Sequence, residues 1–343
     1  MSDEKGVLIL TRAEVAEVMQ FSDYLEAVEL AFRLYGAGQI PGAGILDVPG
    51  KEGMFHIKAA AMPVEGSIYV AVKVNGNFPG NRERFGLPTI QGAILLCDGI
   101  RGYPLALLDS TEITIGRTGA ATALAAKYLA RKNSHTATIC GCGNQGRIQL
   151  IALKSVLPID RVFAWDQYPN AVAGFCQEMS DKLEIPVSPV RELKDALQAS
   201  DVIVTCTTSK QAFIRKPDVP AGVFIAAVGA DSHEKQEIDP YLMAASKVVA
   251  DIREQCVRMG DLHHAIRQGL IRPEEIHGEL GEIVCGQKKG RESDEETIVF
   301  DSTGTAIQDV AAAVIAYRRA MNNGAGSFTN LLGTQVGGSH VTK

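Results

Sequence analysis

The order of apolar and polar positions changes character along the chain. Between Arg12 and Gly38, RAEVAEVMQFSDYLEAVELAFRLYGAG repeats its apolar residues at helical spacing and predicts helix, with Gly36 and Gly38 as terminators. MFHIKAAAMP, SIYVAVKVNG and AILLCDG then read as strands interrupted by Gly, Pro and Asn, which suits an antiparallel arrangement. From Thr136 the pattern becomes short strands that are apolar throughout: TATIC (136–140), RVFAWD ending at Asp166, DVIVTC (201–206), VFIAAVG (223–229), KVVAD (247–251) and TIVFDS (297–302). Helices predicted over Arg147–Val156 and Ala171–Leu183 separate the first of them. Uniformly apolar strands alternating with helices predict a parallel sheet covered on both faces. The amphipathic stretch TAIQDVAAAVIAYRRAMN (305–322) is a further helix, assigned back to the N-terminal portion. The tail GAGSFTNLLGTQVGGSHVTK is rich in Gly, Ser and Thr and is expected to be mobile.

Glycine placement gives the parallel half its chemistry. Gly141, Gly143 and Gly146 form G-x-G-x-x-G directly after the 136–140 strand and at the start of a helix. The first glycine permits a tight turn, the second lets backbone approach a pyrophosphate, and the third lets helix and strand pack closely. Asn144, Gln145 and the helix N-terminus offer free N–H groups to the phosphates. Asp166 follows Gly146 by twenty residues and ends the next strand, where a carboxylate bonds the adenosine ribose and repels a 2′-phosphate. The expected cofactor is therefore NAD rather than NADP. The expected architecture is α/β, with a Rossmann NAD-binding domain over 128–305 inserted in a split α+β domain made of 1–127 and 306–343.

Composition removes several function classes. The 343 residues suffice for two domains, and the net charge of −6 gives no basic footprint for nucleic acid or anionic membrane. No apolar run approaches the roughly 18 residues of a membrane span. MSDEKGVLIL opens acidic, with only a short apolar run, so no secretion signal is expected and a cytoplasmic protein is. Seven cysteines are scattered, and the Cys140/Cys142 pair has no second pair or nearby His to complete a site. Reduced thiols are expected there rather than a metal, and His56, His233, His263 and His264 show no metal-ligand spacing.

Read together, VKVNGNFP (72–79), GYPLALLDSTEITIGRTGAATALAAKYLA (102–130), GCGNQG, AVGADSHEKQEIDP (227–240), GELGEIVCGQKKGRES (278–293) and VFDSTGTAIQD (299–309) resemble the ornithine cyclodeaminase/mu-crystallin family. The resemblance runs over nearly the whole chain and implies a homodimer whose split domain builds the interface and the substrate site. It implies that Lys73 is the catalytic lysine of K-x-N-G, that Arg117 grips the substrate carboxylate, and that Asp231 acts near the reacting carbon. Asn75 would orient Lys73 or touch substrate, Thr118 would bond a cofactor phosphate, and Ser302 and Thr303 would lie near the nicotinamide. The residue types suit such work. Arg forks onto carboxylates, and a desolvated Lys can be tuned to exchange protons near neutral pH.

The chain also departs from the family pattern. Ala43 stands where a second carboxylate-binding arginine is usual, and Ala60 where the cyclodeaminases carry an acid. Lys58 shares the strand face of Ala60 and Met62, so it is either a replacement cation in the pocket or a solvated lysine on an outer face. Loss of the acid argues against ornithine. The expectation is an NAD(H)-dependent imine reductase or L-amino acid dehydrogenase acting on a small 2-imino acid, a dicarboxylic one such as iminosuccinate included. A cyclodeaminase that recycles NAD internally and a non-enzymatic NAD(P)-dependent binding protein are the alternatives.

Overall fold

The structure, a computed structural model, describes residues 6–331. Its chain divides into two compact units, one from Met1–Ala27, Gly38–Thr114 and Ala306–Lys343, the other from Val28–Ala37 and Ile115–Thr305. The expected boundary at 127/128 falls inside an unbroken helix, Ser110–Leu129, which leaves no loop signal to mark the change of unit.

The first unit holds a seven-stranded mixed sheet. Its strands are β1 (Val7–Leu10), β2 (Gly42–Pro49), β3 (Met54–Val64), β4 (Ser67–Asn77), β5 (Ile90–Asp98), β6 (Pro104–Asp109) and, from the far end of the chain, β17 (Ser327–Thr329), in the order β17-β1-β6-β5-β4-β3-β2. The run from β2 to β6 is antiparallel, as the broken strand pattern predicts, whereas β1 runs parallel to β6. β17 corrects the expectation of a mobile tail: Val7, Leu8 and Ile9 pair with Thr329, Phe328 and Ser327. Three residues on the open edge of β1 were enough to order a Gly/Ser/Thr-rich segment. The remainder of that tail, 332–343, lies outside the described residues. The helix expected near the N-terminus is two, Arg12–Val18 and Phe21–Gly36, broken where the Gln20 N–H turns to the Asp23 carboxylate at 2.8 Å.

The helix Ala306–Asn323 packs against β3 and β4. Ala311, Ala312, Ala313, Ala316 and Ala320 are buried along it, and side chains this short let the helix backbone approach the sheet closely. Alternation along β4 sends Ala71, Lys73 and Asn75 to the covered face, while Ile68 and Val74 face outward.

The second unit is built on β7 (Thr136–Cys140), β8 (Arg161–Trp165), β9 (Val187–Pro189), β10 (Val202–Thr205), β12 (Phe224–Ala227), β14 (Lys247–Ala250), β15 (Gly278–Glu279) and β16 (Ile298–Asp301). All are parallel, in the order β15-β14-β16-β12-β10-β7-β8-β9, and β11 (Lys210–Ile214) and β13 (Gln236–Ile238) pair separately. From β9 to β16 this is the strand order of a Rossmann sheet, with β14 and β15 added beyond it. The register aligns Trp165, Cys140, Thr205, Ala227, Asp301 and Ala250 in one row. The residues that follow them therefore share the carboxyl edge, where ligands bind in such sheets.

Four carboxylates lie buried beneath that edge, each held mainly by backbone N–H groups. Glu237 accepts from the Thr207 N–H and hydroxyl, both at 2.6 Å, and from the Gly229 N–H at 2.8 Å. Asp261 accepts from the Glu237 and Ile238 N–H groups at 2.7 and 2.8 Å. Asp301 accepts from the Leu262 N–H at 3.0 Å, and Asp251 from the Gly304 N–H at 2.8 Å and the Thr303 hydroxyl at 2.9 Å. Burial pushes all four carboxyls up, Asp261 well above its usual range, with Glu237 and Asp301 adding charge repulsion there; Asp301 reaches about 8.

Two tests follow from this packing. Ala312→Leu places three extra carbons where helix meets sheet, and a lower urea midpoint is expected, equivalent to about 1–3 kcal/mol. The Asp301 carboxyl, pushed up to about 8, keeps a proton that the unfolded chain releases near pH 3.8. Its stabilising share is thus complete below that value and is lost as pH rises to about 8. The urea midpoint should fall between mildly acidic and mildly alkaline pH, with a shallower fall in Asp301→Asn.

Candidate active site

The glycine turn closes on itself for steric reasons visible atom by atom. Gly141 sits at φ +109°, and a Cβ there would also meet the Cys206 carbonyl oxygen at 2.8 Å. A Cβ on Gly146 would collide with the Gly141 carbonyl. Gly143 differs: a Cβ on it would meet no protein atom within 4 Å. Protein packing explains the first and third glycines, while the second guards the open space in front of the turn. The Asn144–Val156 helix starts there without a side-chain cap and without an acid in its first turn, so its N–H groups and positive end remain available to an anion.

Asp166 leaves β8 beside this turn. One carboxylate oxygen accepts from the Cys142 N–H at 2.8 Å and the other from the Tyr168 N–H at 3.0 Å, which fixes the carboxylate and leaves lone pairs for ribose hydroxyls. A cavity of about 640 Å³ opens alongside, lined by Gly141, Gly143, Asp166, Tyr168, Thr207 and Phe213 among others. Phosphate-binding N–H groups, a fixed carboxylate and a cavity of this size fit the adenosine and pyrophosphate of a dinucleotide. Asn144 and Gln145 form the helix's first turn, while Ser302 and Thr118 are buried, Ser302 at the end of β16 with its N–H on the Ala227 carbonyl at 2.9 Å.

Arg117 is buried in the Ser110–Leu129 helix, close against Gly304, where a Cβ would stand 2.7 Å from one guanidinium nitrogen. Gly304 lies at φ +72° in a turn organised by Asp251 and by Gln255, whose amide donates to the Thr303 hydroxyl at 2.7 Å and the Gly304 carbonyl at 2.8 Å. Asp231 follows β12 on an exposed loop, with its carboxylate 2.6 Å from Lys235 Nζ. His233 is exposed. His263 is buried, with Nδ1 2.8 Å from the Gly260 carbonyl. Among the described residues no group of His, Cys, Asp and Glu could hold a metal, and all seven cysteines are unpaired.

In the first unit, Lys73 is 3% exposed on β4 and lies 2.7 Å from Asp309, itself 2% exposed, with the Thr114 hydroxyl at 3.4 Å. Lys58 stands directly opposite Lys73 across β3 and β4, and Ala60 and Met62 are buried along the same face. Asn75 is the next inward residue after Lys73. Its side-chain oxygen is buried with no hydrogen-bond partner among the described residues. Ala43 and Ala60, the two departures from the family pattern, face each other as register partners on β2 and β3. Lys58, Lys73 and Asn75 therefore share one face of one sheet, while in the other unit Gly141, Gly143, Asn144, Gln145 and Gly146 share one turn with Asp166 hydrogen-bonded beside it.

Asp309 is the residue that sequence reasoning missed. It closes the VFDSTGTAIQD segment in the first turn of its helix, where an acid reads as a helix-dipole partner rather than the counter-ion of a distant lysine. A buried lysine charge requires such a partner, and losing it costs about 3–5 kcal/mol.

The fold matches those of known proteins over nearly the full length. An archaeal alanine dehydrogenase dimer with bound NAD is 39% identical, with a TM-score of 0.88, covering 94% of this chain and 98% of that one. Delta(1)-pyrroline-2-carboxylate reductase of Thermococcus litoralis, solved with NADH and L-proline, is 34% identical with a TM-score of 0.88 over 94% of this chain and 100% of that one. The iminosuccinate reductase of Paracoccus denitrificans, solved with NAD+, is 29% identical with a TM-score of 0.85, covering 93% and 98%. The model of the ornithine cyclodeaminase/mu-crystallin family matches residues 5–324, and the chain belongs to that family.

Proposed function

We propose that this NAD-dependent oxidoreductase of C–N bonds reduces a small 2-imino acid to the corresponding L-amino acid. The observation that carries the reading is the buried Lys73–Asp309 pair at 2.7 Å, an amine and a carboxyl group held together inside the protein on the face that also bears Lys58 and Asn75. The alanine dehydrogenase, pyrroline-carboxylate reductase and iminosuccinate reductase relatives support the same substrate class.

The roles follow from the groups present. The Gly141–Gly146 turn would hold the pyrophosphate of NADH and Asp166 its ribose, and the cofactor would supply the hydride when bound. Arg117 takes the substrate carboxylate as a bidentate fork. Lys73 gives a proton to the imine nitrogen as the carbon is reduced, and Asp309 keeps Lys73 charged until then. The Asn75 side-chain oxygen accepts from the nitrogen, and Asp231 steadies the positive iminium. Lys58, one strand away from Lys73, answers a second carboxylate, so a dicarboxylic imine such as iminosuccinate fits the face. The enzyme works as a cytoplasmic homodimer. The outward residues Leu46 and Val48 on β2, Phe55 on β3 and Ile68 and Val74 on β4 supply its apolar contact surface.

NADH consumption by the purified protein, given ammonium and a panel of pyruvate, oxaloacetate, glyoxylate and a cyclic imine, tests the reading. Steady consumption with one member is expected, and Lys73→Met should abolish it while NADH still binds. Ammonia release from ornithine without net NADH change would identify a cyclodeaminase instead. Lys58→Ala should raise KM about tenfold for a dicarboxylic substrate and leave a monocarboxylic one unaffected; an unchanged KM for both removes Lys58 from the pocket.

A further inference from the structure

Glu237 belongs to no part of the proposed chemistry, yet it is fully buried and bonded to two loops at once. It lies in β13, a strand of three residues, and its neighbour Ile238 faces the apolar core. One carboxylate oxygen takes both the N–H and the hydroxyl of Thr207, which lines the cavity next to Asp166. The other takes the N–H of Gly229, two residues before Asp231. Gly229 must be glycine for this contact, since a Cβ there would collide with that same oxygen, and it would stand 2.5 Å from the Thr207 carbonyl. The Glu237 backbone is itself fixed, its N–H on the Asp261 carboxylate at 2.7 Å.

We infer that Glu237 is a positioning residue, a carboxylate clasp that sets the cofactor-cavity wall at Thr207 and the Asp231 loop at Gly229 in one fixed relation. Three donors converge on two oxygens of one rigid group, so neither loop can shift without breaking charge-assisted bonds inside the protein. An acid is needed because every partner donates. An amide of the same shape turns an NH2 toward one of these donors and opens one arm of the clasp. Asp251 does comparable work at the Thr303–Gly304 turn against Arg117, so the Arg117 side of the site stands on separate supports. The inference rests on the proposed reading only where it gives the Asp231 loop a part in turnover.

Glu237→Gln is the test, with the NADH Kd read from cofactor fluorescence and kcat and KM from steady state. Loss of one charge-assisted bond predicts an NADH Kd raised about tenfold and a lower kcat, with the oxo-acid KM at saturating NADH held within about twofold. A purely structural role would lower the melting temperature and the active fraction but leave the Kd of the folded protein unchanged, and that result overturns the inference. Should Glu237→Gln not fold, Gly229→Ala drives the clasp open from its other side. The same rise in Kd is expected, and an unchanged Kd is again fatal. Asp231→Asn separates the two readings: unaltered kcat there refutes the role given to Asp231, while the Kd results still decide the clasp.

Discussion

A lysine charge cannot be carried into a protein interior alone, and this constraint joins the two ends of the chain. Lys73 comes from a β-strand near the N-terminus and Asp309 from a helix near the C-terminus, and each is almost fully removed from water. Uncompensated, either charge would cost several kcal/mol. Their pairing fixes the helix against β3 and β4, and the alanines along it permit the approach. Once these ends are joined, almost everything from Ile115 to Thr305 has to leave and return as an insertion, and that insertion is the parallel-sheet unit.

The second unit handles buried charge differently. Its four carboxylates have no cation among their hydrogen-bond partners described above. Backbone N–H groups and hydroxyls receive them at the carboxyl edge of the sheet, so each organises a loop rather than a side-chain pair. Amides in fixed loops lose little entropy on binding a carboxylate, which suits loops that must keep their shape between turnovers. The free anion-facing helix start at Asn144 follows the same economy, with backbone N–H groups offered where phosphate is expected.

What could be read from the sequence was local. The Gly141–Gly146 turn, the strand before it and Asp166 all lie within one supersecondary unit, and the structure adds the reason for each glycine. Period-two alternation placed Lys58 on the face of Ala60 and Met62, and its register with Lys73 completes that picture. Partners distant in sequence were hidden. Nothing near Asp309 announces Lys73, and Glu237, Asp251, Asp261 and Asp301 carry side chains that composition assigns to water. β2 was obscured by its Gly and Pro content, and β17 by a composition typical of tails, because in each case pairing with a neighbour outweighs local propensity.

The pairing of β1 with β17 has a consequence for how the molecule is made. On the ribosome, β1 and its neighbours emerge long before β17, the partner that completes their sheet, and the helix bearing Asp309 also follows them at a distance. The parallel-sheet unit, nearly continuous from Ile115 to Thr305, is synthesised in full before then. The earlier unit thus waits with an open edge and an uncovered lysine while the later one folds. The sheet of the first unit gains its β17 edge, and Lys73 its buried partner, only after the parallel-sheet unit has been made.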